Sequence, residues 1–185
     1  MRLFVAIPLP FDLRERLSRL EGGLPGARWV SEDNLHLTLR FLGEVDGRQA
    51  HDIDAALSRI RMPAFALQLS GIDCFGEGSK VHSLWVGVER NAELMRLREK
   101  VENACQAAGM PPDRRKFKPH ITLARFKQHP GPKLQDFMTR HNLLRPPPFS
   151  VDRFALFSSF LQHSGAIYSE EAEYPLDHGA VGVGW

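Results

Sequence analysis

Two stretches of this sequence, DNLHLTLRFLGEV at residues 33–45 and FKPHITLARF at residues 117–126, share the pattern H-x-T-L. The pattern occupies residues 36–39 and 120–123, so its two copies begin 84 positions apart. The chain has only three threonines among its 185 residues, and two of them lie in these motifs. A four-residue motif is weak evidence alone, but two copies at corresponding places indicate a repeated functional element.

The elements predicted around the motifs follow the same order in both halves of the chain. Apolar and polar residues alternate through each motif, which predicts a strand with one buried face. Each half is predicted to run strand, helix, strand, helix, strand. The predicted strands are 3–7, 35–40, one beginning at Phe65, 82–88, 120–124, 149–156 and 166–174. The predicted helices are 11–20, one capped by Asp46 and running to Ile60, 92–108 and 134–141.

This repetition predicts an α+β fold of two pseudo-symmetric lobes. We expect each lobe to be a mainly antiparallel β-sheet with helices on its outer face, and an active-site cleft to lie between the lobes. The whole chain, residues 1–185, is predicted to be a single two-lobed domain with approximate internal repeats at 1–78 and 79–185. A chain of this length can bury its own core.

Composition and charge narrow the possible functions. The formal net charge is +2, from 24 basic and 22 acidic residues, which disfavours a general nucleic-acid coat but allows a local anion site. Cys74 and Cys105 are too few for a disulfide framework. The opening MRLFVAIPLP lacks a signal-peptide core, and no apolar run is long enough to span a bilayer. We therefore expect a soluble, cytoplasmic protein without a membrane partner, and a monomer.

The spacing within the motifs has a chemical meaning. Period-two geometry puts His36 with Thr38, and His120 with Thr122, on one face of each strand. If the lobes face each other, two imidazoles and two hydroxyls converge. Hydrolysis of a cyclic phosphodiester needs a base for water and an acid for the departing ribose oxygen, and histidine can serve as either. Threonine hydroxyls can donate hydrogen bonds to nonbridging phosphate oxygens.

A guanidinium in such a cleft would bind the phosphate as a bidentate partner. Arg125, directly after the second motif, is the first candidate, and Arg40 and Lys118 are weaker candidates. The alternative for Arg125 is an ordinary surface cation.

The paired motifs resemble the 2H phosphoesterase superfamily, and within it the bacterial and archaeal RNA 2′,3′-cyclic phosphodiesterases, also called LigT or 2′-5′ RNA ligase-like proteins. The resemblance extends to MRLFVAIPLP at residues 1–10 and LFSSFLQHSGAIYSEEAEYPL at residues 156–176. It implies a two-lobed fold without metal or other cofactor. It also implies that the partner is an RNA or nucleotide with a 2′,3′-cyclic phosphate end, which is opened to a 2′-phosphate.

The resemblance also implies roles for individual residues. The implied site consists of two catalytic histidines and four substrate-binding residues: His36 and His120; Thr38, Thr122, Arg125 and Phe41. The family's usual assignment makes His36 the acid and His120 the base. Phe41 corresponds to an aromatic that stacks on the nucleobase, but core packing is an equal alternative because Phe41 and Leu42 break the alternation.

Other readings of the motifs remain open. The same site could run in reverse as a 2′-5′ RNA ligase, or the protein could be a noncatalytic module that binds RNA ends or nucleotides. Two histidines could also be zinc ligands, but a catalytic zinc site usually takes a third protein ligand, and no H-E-x-x-H motif is present. No phosphate-binding loop of the G-x-x-x-x-G-K type is present either.

Overall fold

A computed structural model describes residues 1–177, and residues 178–185, which the predicted second repeat includes, lie outside the described residues. The described helices are α1 (Phe11–Ser18), α2 (Gly47–Leu57), α3 (Ala92–Ala107) and α4 (Lys133–His141). The described strands are β1 (Arg2–Pro8), β2 (Ala27–Trp29), β3 (His36–Glu44), β4 (Phe65–Leu67), β5 (Leu69–Phe75), β6 (Ser83–Val88), β7 (His120–Phe126), β8 (Phe149–Val151), β9 (Arg153–Gln162) and β10 (Gly165–Pro175). None of these helices is long and apolar enough to cross a membrane.

Two four-stranded antiparallel sheets carry the two motifs. The first sheet has the order β10-β9-β1-β3 and the second the order β2-β7-β6-β5. His36 is the first residue of β3, and His120 is the first residue of β7. The predicted α+β fold of two antiparallel lobes is therefore confirmed, and the motifs occupy corresponding strands beside β1 and β6.

The two sheets exchange strands between the halves of the chain. β5, from the first half, pairs with β6 in the second sheet. β9, from the second half, pairs with β1 in the first sheet, and β10 completes that sheet. No single point along the chain separates the two sheets, because β2 of the first half also belongs to the second sheet. The repeats at 1–78 and 79–185 stay a prediction. Alternation along a segment predicts a strand, but the identity of its partner depends on distant residues.

A short ribbon of β4 and β8 marks the relation between the halves. Ala66 pairs with Ser150 at its centre, and these residues are 84 positions apart, as are His36 and His120. The strands predicted at Phe65 and Phe149 are each two strands in the structure, interrupted at Gln68 and Asp152. At each break the chain passes from a strand of the ribbon, β4 or β8, to a strand that pairs in the sheet of the other half, β5 or β9.

The alternation in the motifs determines which face of each sheet joins the core. Leu37 and Ile121 have no solvent exposure, and they belong to one buried cluster that also contains apolar residues of the helices. Fully burying a leucine or isoleucine side chain contributes about 2 kcal/mol. Asp46 caps α2 as predicted, because its Oδ1 accepts a hydrogen bond of 2.7 Å from the Gln49 amide. The polar members of the motifs are left on the opposite face.

Candidate active site

A β-bulge follows the threonine in both motif strands. In the pairing with β1, the register passes from Arg40 directly to Thr38, and in the pairing with β6 it passes from Ala124 to Thr122. A bulge shifts the alternation by one residue. Arg40 and Ala124 are therefore buried, while the residues that follow them, Phe41 and Arg125, are exposed.

The exposure of Phe41 excludes one of its two predicted roles, core packing, and leaves base stacking as a prediction. Its side chain is 51% exposed, so it is not a core residue. Its ring centroid lies 6.0 Å from that of Phe4, and the Phe4 ring lies 4.9 Å from His36. The Phe4 ring therefore lies between Phe41 and His36, the first motif histidine.

The His36 ring is held by hydrogen bonds at both nitrogens. Nδ1 lies 2.6 Å from the carbonyl oxygen of Asn34, and since a carbonyl can only accept, Nδ1 carries the proton and donates. Nε2 lies 2.9 Å from Thr38 Oγ1. In the neutral ring, Nε2 therefore accepts from the Thr38 hydroxyl, and the ring presents its basic nitrogen on the same side as the motif threonine.

Aromatic rings surround His36. Its centroid lies 5.3 Å from that of Tyr168 in an edge-on arrangement and 6.4 Å from that of Phe157 in a stacked one. Burial lowers the pKa of His36 from 6.5 to about 4; the hydrogen bond to Asn34 opposes this shift, and the charges of Arg125 and His120 add to it. In the free protein at neutral pH, His36 is uncharged.

His120 has the same backbone anchor but different neighbours. Its Nδ1 lies 2.7 Å from the carbonyl oxygen of Lys118. Its ring contacts Phe75 edge-on at 4.8 Å and lies 5.8 Å from Trp85, and Lys118 Nζ lies 4.9 Å from the Trp85 ring. Burial lowers the pKa of His120, the bond to Lys118 opposes that effect, and the positive charges of Arg125 and Lys118 lower the pKa further.

Two observations place the two motifs near each other. The charges of His120 and Arg125, both from β7, act on the His36 ring on β3. The two strands also contact each other directly. The two imidazoles and Arg125, the first-ranked cation of the sequence analysis, therefore lie near one another, with Thr38 and Thr122 beside their histidines.

Comparison with known proteins agrees with this arrangement. A family model described as the 2′-5′ RNA ligase superfamily matches residues 9–159. The chain belongs to that superfamily. Its relatives include proteins named RNA 2′,3′-cyclic phosphodiesterase from Thermotoga maritima, 35% identical over 98% of both chains, and from Escherichia coli K12, 36% identical over 95% of this chain and 96% of the relative.

Solved structures of similar proteins share the fold over nearly the whole chain. TT0787 of Thermus thermophilus matches with a TM-score of 0.79 and 27% identity, covering 97% of this chain and 100% of that chain. Escherichia coli LigT complexed with 3′-AMP matches with a TM-score of 0.75 and 27% identity, covering 95% and 97%. The membership and the two-lobed fold that the motifs implied are thus confirmed.

The two weaker candidates for a phosphate-binding cation, Arg40 and Lys118, lie in different environments. Arg40 is 6% exposed, and its Nε lies 2.7 Å from Glu102 Oε2, so it belongs to a buried ion-pair network rather than to the motif face. Asp113 and Arg98 complete that network. Lys118 lies at the site, since its carbonyl anchors His120.

Several aromatic neighbours of the histidines could not be nominated from local patterns. Tyr168, on β10, reaches His36 only because β9 and β10 join the first sheet. It also lines a cavity of about 150 Å³ with His36 and Phe157. The sequence offers Tyr168 as a cleft residue but favours a core or surface position for it, and it gives no signal for Phe4 or Phe157.

Metal-ligating side chains do not cluster in the part of the chain that the structure describes. Within residues 1–177, no group of three or more His, Cys, Asp or Glu side chains is placed to hold one ion.

Proposed function

We propose that this protein is an RNA 2′,3′-cyclic phosphodiesterase that opens a 2′,3′-cyclic phosphate end to a 2′-phosphate by general acid–base catalysis with His36 and His120. The observation that supports this most strongly is the pairing of two histidines in one site, each with Nδ1 tied to a backbone carbonyl. Those anchors leave both Nε2 atoms available for proton transfer. The names of its relatives agree with the proposal.

The different surroundings of the histidines favour a division of roles. His120 is the more accessible ring and takes a proton from the attacking water. His36, enclosed by aromatic rings next to Thr38, donates a proton to the departing 3′ oxygen of the ribose. Its pKa of about 4 in the free protein means that the bound substrate must favour the charged ring, and a phosphodiester anion beside it does so.

Three further residues bind the phosphate in this proposal. Thr38 and Thr122 donate hydroxyl hydrogen bonds to nonbridging oxygens, so Thr38 exchanges its bond with His36 for one with the substrate. Arg125 neutralises charge as the in-line transition state develops, since a fixed cation near nonbridging oxygens stabilises that state most. Phe41 stacks on the nucleobase of the terminal nucleotide.

The reverse reaction, formation of a 2′-5′ linkage from the same cyclic phosphate, is a second candidate because the family description names a ligase. One site can catalyse both directions, and the high concentration of water favours hydrolysis. We expect the protein to act as a monomer on an RNA or nucleotide that ends in the cyclic phosphate.

The test is to incubate the protein, in excess EDTA, with adenosine 2′,3′-cyclic phosphate and with a short RNA ending in a cyclic phosphate. ³¹P NMR separates 2′- from 3′-phosphate products, and gel electrophoresis detects ligated RNA. Turnover to the 2′-phosphate supports the proposal. Binding without turnover would favour a noncatalytic module, loss of activity on EDTA treatment a metal enzyme, and ligated RNA in excess of hydrolysed RNA the reverse reaction.

A further inference from the structure

Two arginines face each other beside the second motif. In the antiparallel pairing of β2 with β7, Arg28 is the direct partner of Arg125. Directly opposite residues in an antiparallel pair project from the same face of a sheet. Both residues are exposed, so the two guanidinium groups extend into solvent from the face that carries His120.

This arrangement is costly for the fold. Like charges directly opposite each other destabilise a pair of strands. Among the described residues, no carboxylate lies within 4.0 Å of either guanidinium. Other surface arginines, such as Arg48, lack such a partner too, but Arg28 and Arg125 lie directly opposite each other. A pair of uncompensated cations at one position is the arrangement expected where an anionic ligand supplies the missing charge.

The pair extends the site in one direction. Arg125 lies on β7, the strand of His120, and the proposed mechanism places it at the reacting phosphate. Arg28 lies one strand further out, on β2, which is the edge strand of the second sheet. Neighbouring strands are about 4.8 Å apart, a distance that the long side chain of an arginine easily covers. A second phosphate next to the first would therefore come within reach of Arg28.

We propose that Arg28 binds the phosphate on the 5′ side of the terminal nucleotide and so makes the protein prefer an RNA strand over a mononucleotide. This inference rests on the proposed function. A mononucleotide 2′,3′-cyclic phosphate has one phosphate, which Arg125 can bind alone. An RNA strand has a second phosphate, and a guanidinium binds it through two parallel hydrogen bonds in addition to the charge.

The test compares kcat/KM for a short RNA with a cyclic phosphate end and for adenosine 2′,3′-cyclic phosphate, in the wild type and in Arg28→Ala. We expect the ratio of the two values to fall about fivefold in the variant. The dependence of log kcat/KM on log salt for the RNA should also become shallower by about 0.7, the contribution of one phosphate contact on a single strand. Arg28→Lys should retain most of that salt dependence.

Arg48, an exposed arginine in α2, provides the matched control, and Arg48→Ala should leave both the ratio and the salt dependence at their wild-type values. An unchanged ratio in Arg28→Ala, or the same change in Arg48→Ala, would overturn the inference while leaving the proposed function intact. If the wild type turned over neither substrate, the proposed function itself would fail.

Discussion

The two motif strands, β3 and β7, begin with the same pattern and bulge at the same place, yet their surroundings differ in chemistry. Around His36 the neighbours are aromatic: Phe4, Phe157 and Tyr168. His120 has two aromatic neighbours, Phe75 and Trp85, and the charge of Lys118 acts on it in addition to that of Arg125, which acts on both histidines. At the position after the bulge, β3 presents Phe41 and β7 presents Arg125.

In the proposed mechanism, this difference lets one motif perform two tasks. Acid and base roles separate when two titratable groups lie in environments that move their pKa values differently. The motif supplies the imidazole and its backbone anchor in both lobes. The residues that pack beside the motif determine how readily each ring is protonated.

Replacing either histidine should produce the largest effect. We expect His36→Ala and His120→Ala each to lower kcat for a cyclic phosphate RNA about a thousandfold, because each removes one proton transfer. Initial rates measure the loss, and circular dichroism checks that the fold is retained. His51→Ala, on the exposed surface of α2, is the control and should retain full activity. Substantial turnover by either site variant would contradict the two-histidine mechanism.

A modified substrate sharpens the comparison between the lobes. Sulfur in place of the 3′ bridging oxygen gives a leaving group that needs no proton. His36→Ala should recover much of its rate on this substrate, whereas His120→Ala should not. Recovery in His120→Ala alone would reverse the proposed roles.

Arg125 should have the next largest effect. We expect Arg125→Ala to lower kcat/KM about a hundredfold, as expected for removal of one charged donor to a developing oxyanion. Its positive charge lowers the pKa of both histidines, so the variant should also raise both values. NMR titration of the imidazole C–H signals measures this change. Arg125→Lys should keep the low pKa values but recover only part of the rate, since lysine lacks the guanidinium fork.

Loss of the aromatic ring at Phe41 should weaken binding by a smaller factor. Stacking on one base contributes about 1–3 kcal/mol, so Phe41→Ala should raise KM roughly tenfold with little change in kcat. Phe41→Tyr provides the control and should stay close to the wild type. A fall in kcat with unchanged KM would instead place Phe41 at the reacting groups.

The dependence of kcat/KM on pH should show the smallest effect, and it tests the lowered pKa values of the two histidines directly. In the proposed mechanism the site is active with one proton on the pair of histidines, and kcat/KM reports the free protein. In the free protein that proton lies mainly on His120, and the reactive form with the proton on His36 is a fixed fraction of the singly protonated state. Below about pH 4, the pKa of His36, both rings become charged, and above the pKa of His120, which lies below 6.5, both become neutral. We expect kcat/KM to peak between these values and to fall as pH rises past 6.5. A peak above about pH 7 would contradict the lowered pKa values.

Much of the fold was available from short-range pattern, because alternation and caps depend on neighbouring residues. The helix predicted at 92–108 is α3 (Ala92–Ala107), and the helix predicted to begin after Asp46 is α2. β2 was missed because three residues are too few to show alternation. The helix predicted to reach Ile60 ends at Leu57, before a turn that the apolar spacing does not reveal.

The candidate site was predictable only for residues that lie in or directly after a recognisable sequence motif. The two histidines lie in the repeated motif, and Arg125 follows its second copy. The aromatic neighbours of His36 come from β1, β9 and β10, which meet only in the folded sheet. The bulges were not predicted either: the break in alternation at Phe41 and Leu42 is visible in the sequence, but it does not show where the extra residue is inserted. For this reason the sequence did not reveal that Arg40 is buried and Phe41 is exposed.

The exchange of β5 and β9 means that neither half of this chain contains a complete sheet of its own. Two identical copies of such a half could complete each other only by swapping that strand, as the protomers of a domain-swapped dimer do. In this protein the two halves belong to one chain. The first sheet is complete only when β1 pairs with β9, about 150 residues later in the chain. Pairing over so long a separation is slow. We therefore expect refolding to be concerted, with the two lobes appearing together, and neither half to fold when expressed alone.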